Sequence, residues 1–140
     1  MKKVIFVLFC GIFTAFSTWA KTCTPADAKA ADMAVDSLDT WMAVNQNRIN
    51  YGHCDQGDIA EGNSEAIVHL LVDHWDSLAD LKALLPKNPA LKAYVFRHID
   101  STLDTKDLDT IQSQATHSCP SALSTLCDEI RRVALRAANE

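Results

Sequence analysis

The chain has little of what marks most specific chemistries. Among 140 residues there are four glycines and four prolines, and no internal repeat, low-complexity tract or domain linker stands out. Alternating runs of Val, Ile, Thr and aromatics are scarce, which argues against a sheet. No Cys-x-x-Cys pair occurs, so the cysteines do not read as a zinc site. Neither Gly-x-Ser-x-Gly nor His-Glu-x-x-His is present, and no serine or cysteine has neighbours that announce activation. Carboxylates are plentiful, yet nothing singles out a pair for sugar hydrolysis. Basic residues are outnumbered, 13 Lys+Arg against 18 Asp+Glu, and so acidic a chain is no general nucleic-acid binder. After residue 20 there is no second long apolar segment, so no stable membrane insertion is expected of the remainder.

What is present begins with residues 1–20. Lys2 and Lys3, an apolar run over residues 4–16 and a small-residue site ending in Ala20 predict a cleavable secretory signal peptide. Thirteen apolar residues fall short of the roughly 20 that span a bilayer. Removing this segment takes away Lys2, Lys3 and Cys10. Residues 21–140, expected to be a single helical domain, then hold 11 basic and 18 acidic residues and four cysteines. Export to the periplasm is the expected localisation, and disulfides persist there.

Cys23, Cys54, Cys119 and Cys127 allow three pairings. Cys119 and Cys127 would lie about 12 Å apart in an unbroken helix, too far for a bridge, but Pro120 and Ser124 can allow a turn between them. Cys23–Cys54 with Cys119–Cys127 is the favoured pairing. A crossed arrangement tying the first half to the last helix is the alternative. A catalytic thiol at Cys54, beside His53, is the less favoured use of an even set.

Helix signals recur along the chain. Thr24, Pro25 and Asp27 form an N-terminal cap pattern. Ala31, Val35, Leu38 and Met42 follow at helical spacing, in one helix or a kinked pair reaching Asn50, with Gly52 ending it. Asn63 or Ser64 is expected to cap the next helix, whose core face is Ile67, Leu70, Leu71, His74 or Trp75, and Leu78, with a break near Asp76. Pro86 stops that stretch. Asn88-Pro89 and Asp104-Thr105 open two more helices, carrying Leu91, Val95 and Ile99, and Leu108, Ile111 and Ala115. After Cys119-Pro120 comes the cleanest apolar stripe, Leu123, Leu126, Cys127, Ile130, Val133, Ala134 and Ala137. The fold class predicted is all-α, a compact, disulfide-stabilised bundle of five to seven helices.

Two asymmetries bear on function. Residues 21–80 hold three basic and eleven acidic residues, against eight and seven in residues 81–140. Within the acidic half, residues 53–64 lack apolar periodicity and read as the one substantial loop. Asp55, Asp58, Glu61 and Glu65 recur there, but not at the alternate positions of a calcium loop. A polar loop tethered by Cys54 suits presentation to a partner. His69 and Asp73, four apart, with His74 next to them, are the sole pattern that suggests a metal carrier. His98 reads as a hydrogen-bonded core residue, while Trp41 and Trp75 read as core anchors and Tyr51 as an interface candidate.

With a cleavable signal, about 120 residues after it, a helical bundle, paired cysteines and a presented polar loop, the chain resembles the small exported helical immunity proteins of type VI secretion peptidoglycan amidases. Its own distinctive local patterns, residues 54–62 (Cys-Asp-Gln-Gly-Asp-Ile-Ala-Glu-Gly) and Cys119-Pro120 followed by Leu126-Cys127, match no diagnostic motif of that family. The resemblance is one of architecture over residues 21–140. It implies a homodimer that inserts a loop into the cleft of a papain-like amidase, with Asp55, Gln56, Asp58 and Glu61 as contacts and Cys54 holding the loop's base. The expectation is therefore a non-enzymatic protein-binding inhibitor with no cofactor, no metal and no catalytic residue. Its partner would be another protein, a basic-surfaced hydrolase. A periplasmic stress chaperone or a metal-binding helical protein is the alternative.

Overall fold

A computed structural model describes residues 21–140; the expected signal peptide, residues 1–20, lies outside the described residues. Seven α-helices are found among them: α1 Pro25–Val35, α2 Trp41–Tyr51, α3 Asp58–Asp73, α4 Leu78–Leu84, α5 Pro89–Arg97, α6 Thr105–His117 and α7 Ser124–Ala137. The all-α, disulfide-stabilised expectation holds. No helix of the described residues is long and apolar enough to cross a membrane.

The helix starts follow from local chemistry. Thr24 Oγ1 accepts from the Asp27 backbone N–H at 3.1 Å, with Pro25 in the first turn. Thr40 does the same for Ala43 at 3.2 Å, so the first stretch is a pair of helices broken over residues 36–40. Asp104 caps α6 through the Lys106 N–H at 2.7 Å. Each such cap satisfies a donor that the helix itself leaves unpaired.

The break before α2 resets its phase. Leu38, Trp41 and Val44 turn into the core, while Met42, expected on the same stripe, is 65% exposed. Trp41 is anchored by its indole N–H donating to Ser77 Oγ at 2.9 Å, and Trp75 by donating to the Ser118 carbonyl at 3.0 Å. One apolar core runs through α2 to α7, with α6 and α7 packed as a hairpin and α1 laid on α3.

Both favoured disulfides are present, Cys23–Cys54 and Cys119–Cys127, and the crossed pairing is not. Pro120 and a 3-10 turn at Ser121–Leu123 fold the chain back, bringing the Cys119 and Cys127 Cα atoms to 6.2 Å. The bridges fit an oxidising, exported environment.

The start of α3 corrects the sequence reading. Residues 53–64 are not a twelve-residue loop: Gly52–Cys54 is a 3-10 turn, residues 55–57 turn the chain, and α3 runs from Asp58. Neither Asn63 nor Ser64 is a cap; both are buried in the helix's second turn. Gly57, at φ +55°, provides the left-handed turn that launches α3. Gly62 sits inside the helix because α1 crosses there, and an added Cβ would lie 2.6 Å from Val35 Cγ1. Gly62→Ala is thus expected to lower stability by about 1–2 kcal/mol despite alanine's better helix propensity. Denaturant melts of this variant and of Gly62→Ala/Val35→Ala check it: the double variant should be less destabilised than the two singles added together. Additive effects would remove the contact from the account.

Candidate functional site

The sequence-identified residues divide at Gln56. Gln56, Asp58 and Glu61 are exposed. Asp55 is not: its side chain is 3% accessible and turns beneath α5. Asp58 and Glu61 lie in the first turn of α3, where negative charge favours the helix dipole. With Glu65 they follow a three-then-four spacing, which puts all three on one helical face.

Asp55 is the hub of a buried polar cluster. Its Oδ1 accepts from Asn63 Nδ2 at 2.8 Å, and Asn63 Oδ1 accepts in turn from Asn47 Nδ2 at 2.9 Å. Its Oδ2 meets His98 Nε2 at 3.1 Å and the Arg97 guanidinium. Burial alone would raise the Asp55 pKa. The hydrogen bonds from His98 and Asn63, the His98 charge and Arg97 outweigh it and hold the carboxyl down to about 2. On the far side of the ring, His98 Nδ1 meets Ser64 Oγ at 2.8 Å. The cluster joins α2, α3 and α5 across the chain segment that Cys54 tethers.

Ser64, His98 and Asp55 lie in the order of a hydrolase triad and border an open cleft of about 630 Å3. Two features oppose a nucleophilic role. Ser64 Oγ also lies 3.0 Å from the Ala60 carbonyl, where its proton makes an in-helix bond. Ser64 is also buried in the second turn of α3, where its own backbone N–H belongs to the helix. The geometry is that of a buried structural network, hydrogen-bonded except at Asn47 Oδ1, and His98 is the hydrogen-bonded core residue its position implied.

The cleft's rim is acidic. Glu61, Glu65 and Asp100 border it, and its two basic residues, Arg97 and His98, are already paired with Asp55. Behind it, His53 Nε2 lies 3.2 Å from Asp27 Oδ2, which lowers the Asp27 pKa chiefly through that bond. This contact and the Cys23–Cys54 bridge fasten the start of α1 to the turn that carries Asp55.

His69 Nδ1 contacts Asp73 Oδ2 at 2.8 Å, and the His74 ring stands edge-on at 4.9 Å. Among the described residues no group of three or more His, Cys, Asp or Glu side chains is placed to hold a metal ion.

The sequence reading missed Asn47, Asn63 and Arg97. Asn63 had a usable signal, since it precedes Ile67 by one helical turn on the core face. Asn47 had none: α2 turns Asn45 and Asn47 inward and Met42 and Ile49 outward, the reverse of ordinary amphipathic order. The chain matches no family model, and comparison with curated proteins and with solved structures finds no match to either.

Proposed function

We propose that this is an exported, periplasmic protein-binding protein without enzymatic activity. In this reading it is an immunity-type inhibitor that covers the cleft of a basic-surfaced peptidoglycan amidase. The observation that supports it is the exposed acidic face of α3, Asp58, Glu61 and Glu65, beside an acid-rimmed cleft. The contact surface in this reading is Gln56 with that helical face, not a flexible loop. Asp55 holds the surface in place from below. A face on a clamped helix loses little entropy on binding, and its charge steers a basic partner.

Pull-down against secreted amidases, with a protection assay in the periplasm, tests the reading. Asp58→Lys/Glu61→Lys should cut the association rate by at least about tenfold at low salt, with a smaller effect at high salt. The variant's melting curve checks that the fold survives the loss of two favourable N-terminal charges, each contributing about 0.3–1 kcal/mol. An unchanged association rate would remove the acidic face from the interface. Failure to bind or protect against any amidase would sink the inhibitor reading.

A further inference from the structure

We propose a carboxylate-binding site in the groove between the end of α2 and α5, with Arg48 and Arg97 as its two recognition groups. This groove shares Arg97 with the rim of the acid-lined cleft but includes no residue of α3, and its argument does not depend on the inhibitor reading.

The groove encloses about 450 Å3 and is lined by Arg48, Gly52, Ala90, Ala93, Tyr94 and Arg97. No acidic side chain lines it, although residues 21–80 carry eleven acids and three bases. Gly52, Ala90 and Ala93 leave room for a ligand between the two guanidiniums. Both arginines are held in place by groups that leave donors free. Arg48 is half-buried, and its Nε and Nη2 both donate to Asn45 Oδ1, at 3.2 and 3.0 Å. Among the described residues no carboxylate pairs with it. Arg97 lies over the Tyr94 ring, 4.7 Å from its centroid, and uses one Nη on Asp55.

Surface arginines ordinarily lose side-chain entropy when they grip an anion. Here a buried asparagine and a buried aromatic ring have already fixed them, which favours the two-pronged recognition that guanidinium gives a planar carboxylate. Tyr94 lines the same wall. Its hydroxyl is buried with no hydrogen-bond partner, and burial together with nearby Asp55 keeps the phenol protonated.

A carboxylate can come from a peptide C-terminus or from a small organic acid. Calorimetry on residues 21–140 would use acetyl-trialanine, its C-terminal amide and succinate. Saturable binding is expected for at least one of the two carboxylates, and which one binds identifies the source. Arg48→Gln should weaken that binding by at least about tenfold, whereas Arg136→Gln, at an exposed position on α7, should leave it unchanged. Should Arg48→Gln disturb the fold, Arg48→Lys keeps the charge without the fork and should weaken binding in the same direction. The proposal is overturned if neither carboxylate saturates below about 10 mM, if the amide binds as well as the acid, or if Arg136→Gln matches Arg48→Gln.

Discussion

Asp55→Ala should destabilise the protein by about 3–5 kcal/mol, the range for removing one partner from a buried charged cluster. Three donors lose their acceptor at once: His98 Nε2, Asn63 Nδ2 and the Arg97 guanidinium. Arg97 can turn to solvent, but His98 and Asn63 are enclosed and stay unsatisfied. Denaturant unfolding measures the loss directly. A change below about 1 kcal/mol would mean that the cluster is not the hub described.

The same residue sets the acid response. Its carboxyl is depressed from an ordinary value near 3.8 to about 2 in the folded protein. The folded state therefore binds that proton less readily than the unfolded chain. Asp55 contributes fully above about pH 4, and the contribution fades as pH falls through 4 towards 2. The difference corresponds to about 2 kcal/mol, less than the alanine effect because a protonated carboxyl still fills the site and keeps hydrogen-bonding capacity. Asp27, also lowered by its hydrogen bonds, titrates in the same direction. Asp55→Asn should accordingly flatten the stability profile between pH 4 and 2. An unchanged slope would place the acid sensitivity elsewhere.

The second large effect is expected from the Cys23–Cys54 bridge. Cys23→Ser/Cys54→Ser should cost about 3–4 kcal/mol, and Cys119→Ser/Cys127→Ser about 2–3 kcal/mol. The order follows from the separations, 31 residues against 8, because closing the longer loop removes more freedom from the unfolded chain. Folded-state consequences should differ too. Without the first bridge, His53–Asp27 is the remaining polar clasp described between the start of α1 and the Asp55 turn. Faster amide exchange should then appear in α1 and residues 52–57 before it appears in α6 or α7. Urea midpoints and exchange rates check both statements, and the reverse order of stabilities would contradict the loop-closure argument.

The helices were largely legible because their signals are local. Thr24-Pro25, Asn88-Pro89 and Asp104-Thr105 each mark a start within a few residues, and the stripe from Leu123 to Ala137 reports one face of one helix. The Cys119–Cys127 bridge was legible for a similar reason, since Pro120 lies between its ends. The start of α3 was not, because Gly57 and Gly62 read as loop residues by composition. The close approach of Val35 from α1 leaves no room for a Cβ at Gly62, and that approach is invisible along the chain.

The candidate site was legible only in part. Asp55, Asp58 and Glu61 drew attention as a group of acids, yet the fold separates them, one inward and two outward. Asp55 meets His98 across 43 residues and, through Asn63, Asn47 on α2. The sequence by itself determined an all-helical chain with two bridges and an acidic first half, since caps, prolines, 3.6-residue periodicity and charge need no distant partner. Tertiary structure alone decided that Asp55 is buried, that Asn45 and Asn47 face inward while Met42 and Ile49 face out, and that Arg48 and Arg97 flank one groove. A buried polar group is stable only where its hydrogen-bond partners arrive together, and here they arrive from three different helices.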